Sequence, residues 1–451
     1  MTETTAAPAP SSASATGEHS EKPAAPTSTP EAAVPLRRNR PYLLLMSGLT
    51  TQSLGGSITG FAVPLLALQL TGSPAAAGLV AGIGQVGAVL AALPAGVVAD
   101  RTDRRRLVVV AAGAAAALWA TVVAAGVLGV LSAWHLCAVL FGTAVATAFL
   151  DPAISGAFRA VVPAPQLPTA YAVSEGRDAA AHVLGGPLGG VLYGLGHVVP
   201  MVGAVVGQAV TAICAVLVRV PLNGDVAAAR ATRPLTALRE GVHYVWSVPL
   251  FRACLGLFVA VNVAVSGMMI GINLELARTG TAPVLIGVFN MVAAVSLLLG
   301  AFLAPLVVQR LRLGVVTVLG LALLVVAFAG MATVRSYAGF VALIGLGALL
   351  IPALNSAMSG YVAAVTPGQM QGRLSSVLGL SGVAALPIAP LVGGTLLDVG
   401  GIGVVLWTLV GLLTLTVGAL CLVRSLWRVG TPDTWSDDAL PMPGERPDGL
   451  R

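Results

Sequence analysis

The chain has 451 residues, 57% of them hydrophobic and only 9% charged, with a formal charge of +6 and a mean hydropathy of +0.92. Soluble domains are typically about 25% charged, so this composition excludes an ordinary soluble domain and predicts an integral membrane protein. Nor does the basic excess point to nucleic acid. Lys22 is the only lysine, and the arginines stand at the ends of apolar runs, where they set membrane orientation. The cysteines Cys137, Cys214, Cys254 and Cys421 lie scattered in apolar runs without metal spacing and read as small buried hydrophobes.

In chain order, residues 1–36 are rich in Ala, Pro, Ser and Thr and lack both periodicity and a long apolar core, which predicts a disordered tail and not a signal peptide. Arg37, Arg38 and Arg40 then precede the first apolar run. A membrane helix needs about 20 apolar residues, and cutting at Pro, Gly and Arg gives twelve spans, at about 43–69, 76–99, 108–131, 134–158, 169–195, 198–218, 252–277, 284–308, 314–333, 338–362, 373–397 and 401–424. The expected organisation is a six-helix half over residues 37–218, a linker with an amphipathic helix over 219–251, a second six-helix half over 252–428 and a polar, Pro-rich, disordered tail over 429–451. The fold class is therefore an all-α integral membrane protein of twelve transmembrane helices in two pseudo-symmetric halves.

Arginine counting orients it. Eighteen arginines fall in alternate loops and at the two tail junctions, while the opposite loops hold Arg278 and Arg335. The positive-inside rule then predicts a plasma-membrane protein with both termini cytoplasmic. The halves also read as a repeat. Gly82-Ile83-Gly84-Gln85 matches Gly287-Val288-Phe289-Asn290, Asp151-Pro152-Ala153 matches Ile351-Pro352-Ala353, and Gly189-Gly190 matches Gly393-Gly394, all in one order at a near-constant offset. Two parallel six-helix repeats are a transporter architecture with a substrate site near the midplane between them.

Between spans 2 and 3, the seven residues Asp100-Arg101-Thr102-Asp103-Arg104-Arg105-Arg106 hold six charges. With Gly96 four residues before Asp100, this stretch resembles the major facilitator superfamily signature Gly-x3-Asp-Arg-x-Gly-Arg-Arg, carried by Gly96, Asp100, Arg101, Arg104 and Arg105, with Asp103 where the signature has its second glycine. More narrowly, Leu93-Pro94-Ala95-Gly96, the stretch from Val162-Pro163 to Tyr171-Ala172, and Leu238 to Arg252 make it similar to the branch of enterobactin exporters and macrolide-efflux proteins. The resemblance implies that Asp100 acts as a conformational latch facing the start of span 11, near Gln371 and Arg373, and that the arginines tie spans 2 and 3 to the cytoplasmic rim. Topology enforcement alone is the alternative role for these charges. Two family features differ here: the arginine often found in span 4 is replaced by Ala138, and the glycine-proline motif of span 5 reads Gly185-Gly186-Pro187-Leu188-Gly189-Gly190, with its proline one place late.

Ionisable residues inside spans are costly and are functional candidates by default. Span 4 carries Asp151, and span 5 carries Glu175, Arg177, Asp178 and His182. Glu175, Asp178 and His182 fall on one helix face, and Asp151 and Glu175 sit at similar depths, about 12 Å from their helix ends. Asp151, Glu175 and Asp178 are therefore candidates for a proton-coupling carboxylate modulated by Arg177; a static ion pair with Arg177 holding spans 4 and 5 is the competing role. Candidate substrate-cavity residues are Gln52 and Thr59 in span 1, Gln85 in span 2, Asn262, Ser266 and Asn273 in span 7, Asn290 in span 8 and Asn355 in span 10. Hydrogen bonding between helices is the alternative for each.

These features predict a secondary active transporter, a proton-coupled antiporter exporting hydrophobic or amphipathic small molecules (a drug, an antibiotic or a secreted metabolite such as a siderophore) by alternating access. A nutrient importer or facilitator and a lysolipid translocase are the alternatives. The sequence shows no nucleophile elbow, metal cluster or phosphate loop, so an enzyme is not expected. The expected partners are a small-molecule substrate and the bilayer, with no nucleic acid, no cofactor beyond the proton gradient and a monomeric working unit.

Overall fold

Apolar runs bounded by capping residues leave little choice but helix. In a bilayer every backbone amide must be bonded within its own segment. The structure, a computed structural model, describes the backbone of residues 35–220, 242–243, 245–334, 336–366, 371, 374, 377, 379, 382, 385–423, 427 and 429–438, and within them every side chain but those of Leu93, Asp100, Pro249, Leu250 and residues 436–438. The first half comprises α1 (Arg40–Thr71), α2 (Pro74–Arg101), α3 (Arg104–Val127), α4 (Ala133–Ala148), α5 (Leu150–Val161), α6 (Leu167–Leu195) and α7 (Val199–Leu217). The second comprises α8 (Pro249–Arg278), α9 (Pro283–Arg310), α10 (Leu313–Thr333), α11 (Tyr337–Ala348), α12 (Ile351–Val365) and α13 (Ile388–Leu422).

Ten of the described stretches are long and apolar enough to cross a membrane, with α4–α5 and α11–α12 each counted as one crossing. Two more passes complete the twelve. Helix α6 has 29 residues, about 43 Å of helix, but carries Glu175, Arg177, Asp178 and His182 and so is too polar to count by composition. Helix α13 merges two helices across a kink at Gly400–Gly401, where Gly401 takes φ 73°, a left-handed conformation favouring glycine, so it holds the end of the predicted span 373–397 and nearly all of the span 401–424. The fourth and tenth spans each break into two helices, at Phe149 and at Leu349–Leu350, immediately before the repeat-related Pro152 and Pro352. A proline lacks the amide that would continue the ladder and clashes with the preceding turn.

Capping explains several boundaries. Asn39 accepts from the Tyr42 amide at 3.2 Å and donates to the Val161 carbonyl at 2.9 Å, tying the start of α1 to the end of α5. Ser73, Ser132 and Ser336 cap α2, α4 and α11 through their hydroxyls. Asp103 caps α3, accepting from the Arg105 amide at 2.9 Å. The residue standing in place of the signature's second glycine thus has a local structural role.

Within the first half α1 packs on α6 and α7, α3 on α7 and α2 on α4; within the second, α8 and α10 pack on α13, and α9 on α11 and α12. The halves meet where α6 lies on α9 and α2 lies on α13. Both seams are built on missing side chains. A methyl group added at Gly186 would lie 2.6 Å from the Gly287 carbonyl oxygen, and one at Gly190 2.5 Å from that of Pro283; at the other seam Gly78 abuts the Pro390 carbonyl and Gly394 the Pro74 carbonyl. Helices α2 and α9 begin at these contacts and run toward the end of the bundle that carries Arg101–Arg106 and Arg310. The seams therefore lie toward the opposite, arginine-poor end. There Ser73 also donates to Asp398 Oδ2 at 3.3 Å, a side-chain bond from the cap of α2 across to α13.

The expectation of a disordered tail over 429–451 needs correcting in its first part. Pro432–Asp438 forms a 3-10 helix, and Trp435 is 7% exposed. Its ring stands edge-on to Tyr361 at 5.7 Å between centroids, lies over the bare backbone of Gly360, and its indole N–H donates to the Gly430 carbonyl at 3.1 Å. A single large aromatic with a glycine to receive it outweighs the polar composition around it. Residues 1–34 of the predicted tail over 1–36, most of the 219–251 linker and residues 439–451 lie outside the described residues.

Candidate functional site: a central cavity and the charges beside it

A cavity of about 420 Å³ is lined mainly by the first half and closed by the second. Helix α1 contributes Gln52, Gly56, Thr59 and Gly60, α2 contributes Gln85, and α7 contributes Ala204 and Gln208; Ile270 and Asn273 of α8 and Pro390 of α13 close it from the second half. Trp119, Thr143 and Thr147 complete the polar and aromatic lining. No ionisable side chain lines this cavity among the described residues. The threonine hydroxyls donate back to their own helices, Thr59 to Gly55 at 2.7 Å, Thr143 to Val139 at 2.8 Å and Thr147 to Thr143 at 2.8 Å. Only their acceptor capacity therefore faces a ligand.

Four sequence candidates, Gln52, Thr59, Gln85 and Asn273, meet in this cavity. Asn290 is not in its lining but holds Asn273 in a reciprocal amide pair, with bonds of 3.3 and 3.0 Å. It sits where Gly186 of the other half leaves room for its Cβ, at 3.1 Å. Asn262 donates to Phe258 of its own helix at 2.8 Å, and neither it nor Ser266 lines this cavity. Asn355 lines a different cavity of about 330 Å³ within the second half, with Cys254, Phe258 and Met358.

The ionisable cluster stands beside the central cavity and not in it. On α6 the Arg177 guanidinium forks onto the carboxylate of its neighbour Asp178, with Nη2 donating at 2.8 and 2.7 Å to the two oxygens. The side chains of the pair are 13% and 36% exposed, respectively. Ser53 of α1 donates to Asp178 Oδ1 at 2.6 Å. Because Gln52 adjoins Ser53 on α1, the ion pair and the cavity wall share one turn of that helix. Arg177 Nη1 is buried with no partner among the described residues. Asp151 lies in the first turn of α5, where the helix dipole favours a negative charge. Asp151, Glu175 and His182 are exposed in their spans. The arrangement thus contains the static ion pair weighed above, and beside it two carboxylates without an ion-pair partner among the described residues.

The signature residues occupy the arginine-rich end. Arg105 donates from Nε to the Ala215 carbonyl at 3.1 Å and from Nη2 to the Val216 carbonyl, binding the start of α3 to the last turn of α7, where carbonyls have no helical partner. The Arg104 side chain lies against the bare backbone of Gly156 in α5. Arg101 is exposed, and Gly96 has open space where a Cβ would be. The implied contact of the Asp100 side chain with the start of span 11 falls outside the described residues, as does Arg373. Gln371, the other residue named for that contact, donates to the Ala363 carbonyl at 3.0 Å at the end of α12.

Ser53, Trp119 and Gln208 were not singled out from the sequence. Gln208 had a signal: it is the one amide side chain in the apolar run of α7. Ser53 had none beyond adjacency to Gln52, because only the packing of α1 on α6 shows which carboxylate it meets.

The sequence profile of the Major Facilitator Superfamily matches residues 45–352. The chain is 27% identical over 385 residues to the multidrug efflux pump Tap of Mycolicibacterium fortuitum, covering 80% of this chain and 90% of Tap. Among solved structures, it is similar to a bacterial homologue of the human lysosomal transporter Spinster in an inward-facing, unoccupied conformation, with a TM-score of 0.68 at 16% identity over 90% of this chain and all of that one. It is likewise similar to the nucleoside transporter NupG, with a TM-score of 0.65 at 13% identity over 86% of this chain and 99% of that one.

Proposed function

The chain is a member of the major facilitator superfamily, and from that premise we propose that it is a proton-coupled exporter of hydrophobic or amphipathic small molecules. The observation that carries the reading is the division of labour around α1: an uncharged cavity shared by both halves, and next to it a cluster of carboxylates with one paired arginine. The similarity to a multidrug efflux pump over most of both chains supports the direction and the substrate class.

In this reading the arginine-rich end faces the cytoplasm, and the glycine seams close the outer end. Asp151 and Glu175, which have no ion-pair partner among the described residues, are then the carboxylates assigned to proton exchange with the cytoplasm. A carboxylate at the cavity edge loses its proton to the cytoplasm in this state and regains one from outside in the alternate state. Its charge changes as the halves rock, and the conformational equilibrium follows. Asp178 is anchored by Arg177 and Ser53, which suits it to holding α6 against α1, whereas Asp151 and Glu175 have no such anchor among the described residues.

The test is transport in reconstituted vesicles of the full chain. A pH gradient should drive substrate efflux. Asp151→Asn and Glu175→Gln should each retain gradient-independent counterflow, while at least one loses gradient-driven accumulation by tenfold or more. If both keep full gradient-driven transport, the coupling assignment is wrong. Gradient-insensitive uptake in both directions would instead establish the facilitator reading.

A further inference from the structure

The central cavity contains three glutamine carboxamides with no hydrogen-bond partner among the described residues: Gln52 on α1, Gln85 on α2 and Gln208 on α7. The amide oxygens of Gln52 and Gln208 are buried without a donor, and the whole Gln208 residue is only 8% exposed. An amide held in an apolar surrounding without a partner is destabilising, and the site relaxes when a ligand supplies one. The neighbouring polar groups offer less: the threonine hydroxyls donate to their own helices and keep acceptor capacity alone, and Asn273 is paired with Asn290. The glutamines are therefore where a ligand can gain hydrogen bonds. Turning a carboxamide about its terminal bond exchanges donor for acceptor, so each can meet a hydroxyl or an amide in either sense.

Charge decides the rest. The described lining has no ionisable group, and the Asp178 carboxylate is already held by Arg177 and Ser53. A ligand carrying a formal charge would be buried without a counter-ion, which is far more costly than burying a neutral polar group. Gly56 and Gly60 have open space where a side chain would stand, leaving a bare strip of α1, and Trp119 adds an aromatic surface. We propose that the central cavity selects uncharged ligands that carry amide or hydroxyl groups on a flat apolar frame, recognised by Gln52, Gln85 and Gln208. This deepens the exporter reading and rests on it for direction. It also has a consequence for energetics: exchange of an uncharged cargo for a proton moves net charge, so efflux should respond to membrane potential as well as to pH gradient.

The test uses the purified full chain in lipid nanodiscs and three probes on one frame: 2-naphthamide, 2-naphthylmethylammonium and 2-naphthoate. Calorimetric titration at pH 7 should show the amide binding at least tenfold tighter than either ion. Gln208→Leu and Gln52→Leu should each abolish that preference, with thermal unfolding monitored to confirm that the variants are folded. Gln85→Glu, at an exposed position that tolerates the change, should shift the preference toward the ammonium probe by tenfold or more. Equal affinity for the three probes, no binding of the amide, or unchanged selectivity in all three variants would overturn the inference. Vesicle efflux of the same probes separates it from the exporter reading. Amide-selective binding without gradient-driven efflux removes that reading and leaves this inference standing; gradient-driven efflux of ammonium and amide alike does the reverse.

Discussion

Aligned on Gly189–Gly190 and Gly393–Gly394, the charged residues Glu175, Arg177 and Asp178 of the first half fall on Gly379, Ser381 and Gly382 of the second. In the first half those positions hold an ion pair bonded to Ser53. In the second, Gly379 borders an apolar cavity with Cys254, Phe258 and Met358, and Gly382 lies against the Phe258 ring. The seams between the halves, by contrast, kept the same device on both sides, glycine against backbone carbonyl. The interface between the halves thus rests on shape at both seams, while the charges at these aligned positions stand in the first half alone.

The largest effect expected from breaking this asymmetry is at the seams. Gly287→Leu or Gly78→Leu drives a side chain into the facing backbone; overpacking of this kind costs about 1–3 kcal/mol, a shift of roughly 5- to 150-fold in the closed population. Thiol labelling of Thr59→Cys in a cysteine-free background should become faster from the arginine-poor side in both variants. A response in only one of them would show that the seams are not equivalent. Next comes the ion pair. Asp178→Asn leaves a mostly buried guanidinium without its partner, and a loss of about 1–3 kcal/mol is expected, read as a lower unfolding temperature. The double variant Arg177→Met/Asp178→Asn should regain that stability. If it also regains gradient-driven transport, the pair serves packing alone.

Smaller effects sharpen the picture. Removing the amide pair with Asn290→Leu should cost about 1 kcal/mol and loosen ligand binding through Asn273 with little change in coupling. At the arginine-poor end, Ser73→Ala should weaken closure by no more than about 1 kcal/mol, because the Asp398 bond is long and exposed. Asp398→Asn should behave alike, and a much larger loss would assign Asp398 a role beyond that bond. Trp435→Ala should lower the unfolding temperature slightly, since a short segment is released from Gly360 and Tyr361, and should leave transport rates within about twofold.

Legibility varied with the range of the interaction. Spans, caps and the repeat follow from local composition, and the charges of α6 stood out because ionised residues are rare in apolar runs. The breaks at Phe149 and Leu349 were signalled by Pro152 and Pro352, which the repeat had already paired. The distribution of amides was not legible. Asn262, Asn273 and Asn355 read alike in sequence, yet Asn262 bonds its own helix, Asn273 faces the central cavity and Asn355 faces another. A helix-face argument gives the direction of a side chain relative to its own axis. It does not give the rotation of that helix against its neighbours.

Amino-acid order alone was enough to specify a twelve-span membrane protein of two repeated halves, because bilayer thickness and backbone hydrogen bonding leave apolar segments of this length one solution. It also located the charges. What those groups meet came only from the folded bundle: Asp178 is held by Arg177 and Ser53, glycines on different halves close two seams, Trp435 docks on Gly360, and three glutamines share one uncharged cavity. Each of these depends on which helices lie side by side and how they are rotated, and that is settled by packing across the whole bundle.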